Sequence, residues 1–270
     1  MQPDSGSKPT SGRDGLTQFP RDPLDDAQEL CFDAWESGNP RERVRLAKKA
    51  LELSPECADA YVILANEAKS PRRRVELYGK GVAAGERALG PRTFEHEVGH
   101  FWGLHGTRPY MRARFGLAQA LWEVGRREEA ISHCSEMLRL NPRDNQGVRY
   151  VLIRYLLEEG RDSDAVDIMD FYEGDASADW VYTQLLITLR KEGDSEKARA
   201  LLWSAVRCNY HAPAYLLGKT ALPSLLLDEF TLGYESEAAH YAAGYSRLWA
   251  KTQGALPWLA RQLRWDERGA

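Results

Sequence analysis

Three glycines, Gly125, Gly160 and Gly193, recur 35 and 33 residues apart, and each is followed five residues later by an alanine, Ala130, Ala165 and Ala198. Around them, in "WEVGRREEAISHCSEMLRLNP", "LLEEGRDSDAVDIM" and "LRKEGDSEKARALL", apolar residues return at helical spacing. A glycine at such a point ends one helix in the left-handed turn, and a small alanine then lets a second helix pack closely on the first. Proline stops the second helix, as Pro142 does in "LRLNPRD". Few folds other than a stack of helical hairpins tolerate that repetition.

A period near 34 residues is that of the tetratricopeptide repeat. "AWESGNPRERVRLAKKALELSPEC" fits the frame, with Gly38 at the turn, Ala50 on the packing face and Pro55 at the stop, although Arg43 takes the small-residue position. "ADAYVILANEAKSPRRRVELYGKGVAAG" fits less closely, with Ser70 and Pro71 at its turn. Five units result, and no Val/Ile/Thr alternation suggests a sheet. The expected fold is all-α, a right-handed tetratricopeptide-like solenoid over residues 23–270, with an insertion at about 86–108 and C-terminal capping helices at about 213–270. Trp249 and Trp258 are expected to pack in that cap. Residues 1–22, rich in Ser, Gly, Pro and Asp, have the composition of a disordered tail.

The formal charge of -4 gives no broad basic footprint for nucleic acid, and Arg72–Arg74 is read as a solvated helix start. No apolar run reaches the roughly 18–20 residues a spanning helix needs. A cytoplasmic protein with no membrane and no nucleic-acid partner is expected. Cys31, Cys57, Cys134 and Cys208 lie far apart and are read as reduced, mostly buried thiols.

"FEHEVGHFWGLHG" contains His-Glu-x-x-His. On one helix, His96 and His100 would share a face and present two imidazole nitrogens to zinc, with Glu97 as general base for a metal-bound water. The context argues otherwise. The third histidine of the metzincin extension is out of register, since Gly106 stands at that offset and His105 one residue early. The alternative third ligand, Glu123, sits near the exposed end of a repeat helix, and Gly99 weakens the helix by about 1 kcal/mol relative to alanine. The segment is therefore read as a connector in which Phe101 and Trp102 pack, with no metal or cofactor. A zinc-dependent hydrolase centred on His96, Glu97 and His100 is the alternative.

Several stretches together resemble the suppressor of tumorigenicity 7 family of helical repeat proteins: "ALELSPECADAYVILANEA", "GHFWGLHGTRPYMRARFGLAQALWEVGRREEAI", "LRLNPRDNQGVRY", "APAYLLG" and "EAAHYAAGYSRLWAKTQGALPWL". "TRPYMRAR" and "NPRDNQGVRY" are more specific than the repeat frame. The resemblance implies a repeat fold and carries no catalytic residue set. Animal members look membrane-associated through an N-terminal apolar region that has no counterpart in this sequence.

Stacked hairpins expose the first helix of each pair on an inner surface suited to peptides or partner helices. Alignment of the third to fifth units places Arg112, Phe115, Gln119 and Trp122 there, then Tyr150 and Arg154, then Trp180, Thr183 and Arg190. Arginines interleaved with aromatics favour an acidic or C-terminal peptide. The expected function is a non-enzymatic adaptor; a self-assembling structural repeat is a further possibility.

Overall fold

The computed structural model describes residues 22–226 and 229–264, so the expected N-terminal tail lies outside the described residues apart from Asp22. These residues form thirteen α-helices and two single 3-10 turns, and among them there is no strand. Ten helices make five antiparallel pairs: α1 (Pro23–Glu36) with α2 (Pro40–Leu53), α3 (Ala58–Asn66) with α4 (Pro71–His96), α5 (Arg108–Glu123) with α6 (Arg127–Leu140), α7 (Val148–Glu158) with α8 (Asp162–Phe171), and α9 (Ala178–Glu192) with α10 (Glu196–Cys208). The chain ends in α11 (Ala212–Leu216), α12 (Glu235–Lys251) and α13 (Ala255–Gln262). The architecture is a helical-repeat solenoid.

The turns follow from local chemistry. Gly125, Gly160 and Gly193 all have positive φ, at 82°, 73° and 65°, a region that costs other residues strain. Ala130, Ala165 and Ala198 are 0% exposed against the preceding helix. Asn39, Ser177 and Ser195 cap α2, α9 and α10 by accepting from the N–H groups of Arg41, Trp180 and Ala198. In the degenerate first unit, Arg43 reaches out of the packing face to Glu67 at 2.5 Å and to the Ser37 carbonyl at 2.9 Å.

Close approach matters most at Gly116 of α5. A Cβ there would stand 2.2 Å from Cε1 of Tyr78, whose ring lies across α5 while its hydroxyl donates to Asn66 Oδ1 at 2.5 Å. The third pair can lie against the second only because this position has no side chain.

The main core runs from α3 to α13, whereas α1 and α2 close on α3 through a separate cluster of Ala27, Cys31, Ala34, Leu46, Ala47, Ala50, Cys57, Ala60 and Ile63. That second cluster is mostly alanine and cysteine. It therefore buries less apolar area per residue than the leucine- and tyrosine-rich main core.

The expected insertion is largely helical. α4 runs on through it with a kink at Gly90 (φ 67°, ψ 165°) ahead of Pro91, and the 3-10 turns Phe101–Gly103 and His105–Thr107 lead into α5. Phe94, Phe101 and Tyr110 pin this block, with ring centroids 5.2–6.1 Å apart. Trp249 and Trp258 are buried. Among the described residues no helix is long and apolar enough to cross a membrane.

Candidate functional site

The first helices of the pairs, α1, α3, α5, α7 and α9, form one face, and the nine positions read from the sequence divide along it into two groups. Over α7 and α9 the face is covered by the chain itself. α12 packs on both helices and makes no comparable contact with their partners α8 and α10. Its start is held by Glu237, 3% exposed, whose carboxylate accepts from the backbone N–H of Ala178 (2.7 Å), the backbone N–H of Gly233 (2.7 Å) and Asn209 Nδ2 (2.9 Å). Farther along, Tyr241 packs 5.6 Å from Tyr182, Tyr245 donates to the Tyr150 carbonyl, and Trp249 Nε1 donates to Tyr241 at 2.8 Å.

This seat absorbs the second group of positions. Arg190 donates to Thr252 at 3.0 Å and to Asp162 at 2.9 Å. Arg154 runs beneath Gly244, where a Cβ would stand 3.1 Å from its guanidinium, and lies over Tyr155. Thr183 is 1% exposed, and Trp180, 6% exposed, meets Tyr150 edge-on at 6.1 Å. Burial lifts the Asp179 carboxyl, at the start of α9, to about 7; Asp175 and Glu237 push the same way, against hydrogen bonding from Tyr245 and the charge of Arg154.

Over α1, α3 and α5 the face is open. Phe32 and Trp35 of α1 are 52% and 37% exposed, Asn66 and Gln119 are exposed, and Phe115 is half-buried. Trp122 stands at the boundary, stacked on Tyr155 at 3.7 Å and covered on its other side by the Arg127 guanidinium at 3.8 Å. Arg112 is committed within the chain: it grips Asp59 with two hydrogen bonds, Nε to Oδ1 at 2.8 Å and Nη2 to Oδ2 at 2.5 Å, while lying 5.0 Å from the Trp35 ring. Gln28 Nε2 donates to the same carboxylate at 2.7 Å. Asp59 is 0% exposed, so this charge is desolvated and lives on those two partners. A pocket of about 430 Å³ adjoins this knot, with Leu24, Phe32, Leu89 and Tyr110 among its lining.

Gln28, Phe32, Trp35 and Asp59 were not among the positions read from the sequence. The signal was available for the first three: counted back from the turn glycine, Gln28, Phe32 and Trp35 precede Gly38 as Phe115, Gln119 and Trp122 precede Gly125.

The two imidazoles of the His-Glu-x-x-His stretch are not on one helical face. α4 ends at His96, Glu97 caps it, Gly99 takes φ 94° with its N–H on the Leu140 carbonyl, and His100 lies beyond in a non-helical conformation. Among the described residues no group of three or more His, Cys, Asp and Glu is placed to hold a metal ion. Phe101 is buried and Trp102 packs against the core, as a connector requires.

The fold defines a helical-repeat protein built of antiparallel helix pairs. A family model described as ST7 protein matches residues 11–93. The chain is 27% identical to a "Suppressor of tumorigenicity 7 protein-like" from Danio rerio over 91% of its length and 46% of that protein, and 27% identical to "Protein ST7 homolog" from Drosophila pseudoobscura pseudoobscura over 84% and 46%. A Bos taurus relative is 28% identical over 86% and 46%. The chain thus spans about half the length of these relatives. Among solved structures it is similar to "YrrB: a TPR protein with an unusual peptide-binding site", with a TM-score of 0.48 and 19% identity over 68% of this chain and 84% of that one. The chain is thus similar to ST7 proteins, by the family model over residues 11–93 and by these relatives over most of its length.

The two segments that carry the family resemblance most specifically are knots of internal bonds. In "TRPYMRAR", Thr107 donates to the Leu104 carbonyl, Arg108 to the Trp102 carbonyl, Arg112 to Asp59 and Arg114 to the Tyr110 hydroxyl. In "NPRDNQGVRY", Asp144 accepts from the N–H groups of Val148 and Arg149 and from the Arg149 guanidinium, which also reaches Asp175 at 2.7 Å among Tyr150, Tyr172 and Trp180.

Proposed function

We propose that this chain is a non-enzymatic adaptor that holds a helical segment of a partner protein on the open part of its inner face, over α1, α3 and α5. The observation that carries the reading is the seat of α12: the adjoining part of the same face already holds a helix, through aromatic side chains four residues apart and a carboxylate set on backbone N–H groups.

The partner's chemistry follows from what remains free. Of the arginines that favoured an acidic ligand, Arg112 and Arg190 are engaged by Asp59 and Asp162, and Arg154 lies under α12. The open wall offers Phe32, Trp35, Phe115 and the Gln119 amide, rigid apolar area with one polar group that suits an amphipathic helix better than an acidic tail.

Affinity capture with wild-type bait and with Phe32→Glu plus Gln119→Arg tests this. Both side chains are exposed, so the substitutions leave the core intact. A specifically retained protein that the double variant loses, and that an Arg139→Glu control on α6 keeps, is the expected result; retention by all three baits refutes the assignment.

A further inference from the structure

Cys31 of α1 and Cys57, at the N-terminal cap of α3, place their sulfurs 3.5 Å apart, and both side chains are 0% exposed. Two thiols at that separation stand within one small movement of bonding distance, which is about 2.05 Å. We propose that Cys57 and Cys31 are a redox pair, with Cys57 as the attacking sulfur and Cys31 as the resolving one, whose oxidation by a peroxide forms a disulfide that staples α1 to α3 beneath the open inner face.

The geometry makes the two sulfurs unequal. The contact with Cys31, and the place of Cys57 at the N-terminal end of α3 beside the N–H groups of Ala60 and Asp59, hold its thiol below the usual thiol range against burial and the Asp59 charge. The thiol of Cys31 is pushed up by its contact with Cys57 and by burial. A peroxide therefore meets its nucleophile at Cys57. Its thiolate attacks one oxygen of hydrogen peroxide, the O–O bond breaks, and the leaving hydroxide takes a proton to become water, leaving Cys57 as a sulfenic acid. Cys31 then attacks the sulfenic sulfur, its proton leaves with the displaced hydroxide as a second water, and the S–S bond forms. Two thiols and one peroxide yield one disulfide and two waters.

Access comes from the packing of the first pair. α1 and α2 are held by the separate alanine- and cysteine-rich cluster that contains both sulfurs, and such small cores open at lower free energy than the main core. The consequence falls on the inner face. Phe32 follows Cys31 directly, and Asp59, two residues beyond Cys57, holds Gln28 and Arg112. The bond would fix the α1 wall against α3 at that point.

The test treats the full chain with hydrogen peroxide, alkylates the remaining thiols after denaturation, and maps the peptides by mass spectrometry. A dithiothreitol-reversible Cys31–Cys57 cross-linked peptide is expected, with Cys134 and Cys208 still alkylated and the thermal midpoint raised by several degrees. Cys31→Ser should leave a Cys57 sulfenic acid that dimedone traps, and Cys57→Ser should leave Cys31 untrapped; circular dichroism confirms that each variant is folded. Alkylation of all four cysteines in the treated wild type, a link to Cys134 or Cys208 instead, or a dimedone adduct on Cys31 overturns the proposal. Because the wild-type map stands alone, a variant that fails to fold does not shelter it. The partner-capture experiment has a separate readout, so failure of one leaves the other standing.

Discussion

Glu237, in the first turn of α12, accepts a hydrogen bond of 2.7 Å from the backbone N–H of Ala178, the first residue of α9 and 59 positions earlier in the chain. A helix start normally satisfies its N–H groups with local side chains or water; here one of them is met by another helix. The same carboxylate takes donors from Gly233 and Asn209, so one side chain fixes α12, the segment before it and the end of α10. Glu237→Ala leaves three donors without their acceptor. A loss of about 2–4 kcal/mol is expected in denaturant unfolding, together with proteolytic cleavage in the connection between α11 and α12. Glu237→Gln should lose less, because the amide oxygen retains part of the set.

Arg112 and Asp59 form the equivalent tie in the open half. Arg112→Ala abandons a fully buried carboxylate to Gln28 alone and should cost about 3–5 kcal/mol. Asp59→Ala plus Arg112→Met removes the charge along with its partner and should cost clearly less than the two single changes added. A double-mutant cycle by urea denaturation measures the difference.

Gly116→Ala should destabilise although alanine is the better helix former by about 1 kcal/mol. The new Cβ meets the Tyr78 ring at 2.2 Å, and displacing that ring also strains its bond to Asn66, for a net loss of about 1–3 kcal/mol. Tyr78→Ala in the same chain should remove the penalty for position 116. If Gly116→Ala alone raises the thermal midpoint, the close approach of α4 and α5 is not what fixes this position.

Two groups give opposite pH dependences. Asp179 titrates near 7 in the folded chain, above the unfolded carboxyl value of about 3.9, so its contribution is full below about pH 4 and is lost as pH rises through 7, by at most about 1.4 kcal/mol per pH unit. Burial and the nearby Arg114 hold the His133 imidazole down to about 4, so its contribution is present above about pH 6.5 and is lost as pH falls through 4. Between pH 4 and 6.5 the two oppose each other in the wild type. Asp179→Asn should therefore gain stability relative to wild type as pH rises from 4 to 7 and change little beyond; a constant difference across that range would contradict the assignment to Asp179.

The sequence exposes the repeat because its signals are local. Gly125 turns one helix into the next and Ala130 admits the pair's close contact, and both requirements act within a few residues. The same register correctly sets Arg112, Phe115, Gln119 and Trp122 on first helices, but it says nothing of what meets them across space. Arg112 reads as a free cation until Asp59, 53 residues away, is seen beside it. Likewise "EAAHYAAGYSRLWAKTQ" shows an amphipathic helix, yet only tertiary packing lays it along α7 and α9. The His-Glu-x-x-His pattern misleads for a local reason: the pattern presumes a continuous helix, and Gly99 ends that possibility with its positive φ.

Site-specific photo-crosslinking shows whether a partner sits on the open inner face. A photoreactive residue is placed at position 119 on the open inner face or, as control, at the exposed Ser132 of α6 on the opposite helix layer. A discrete partner adduct is expected from position 119 and is lost in the Phe32→Glu background, with none from position 132. An adduct formed only from position 132, or equally from both, would contradict that placement.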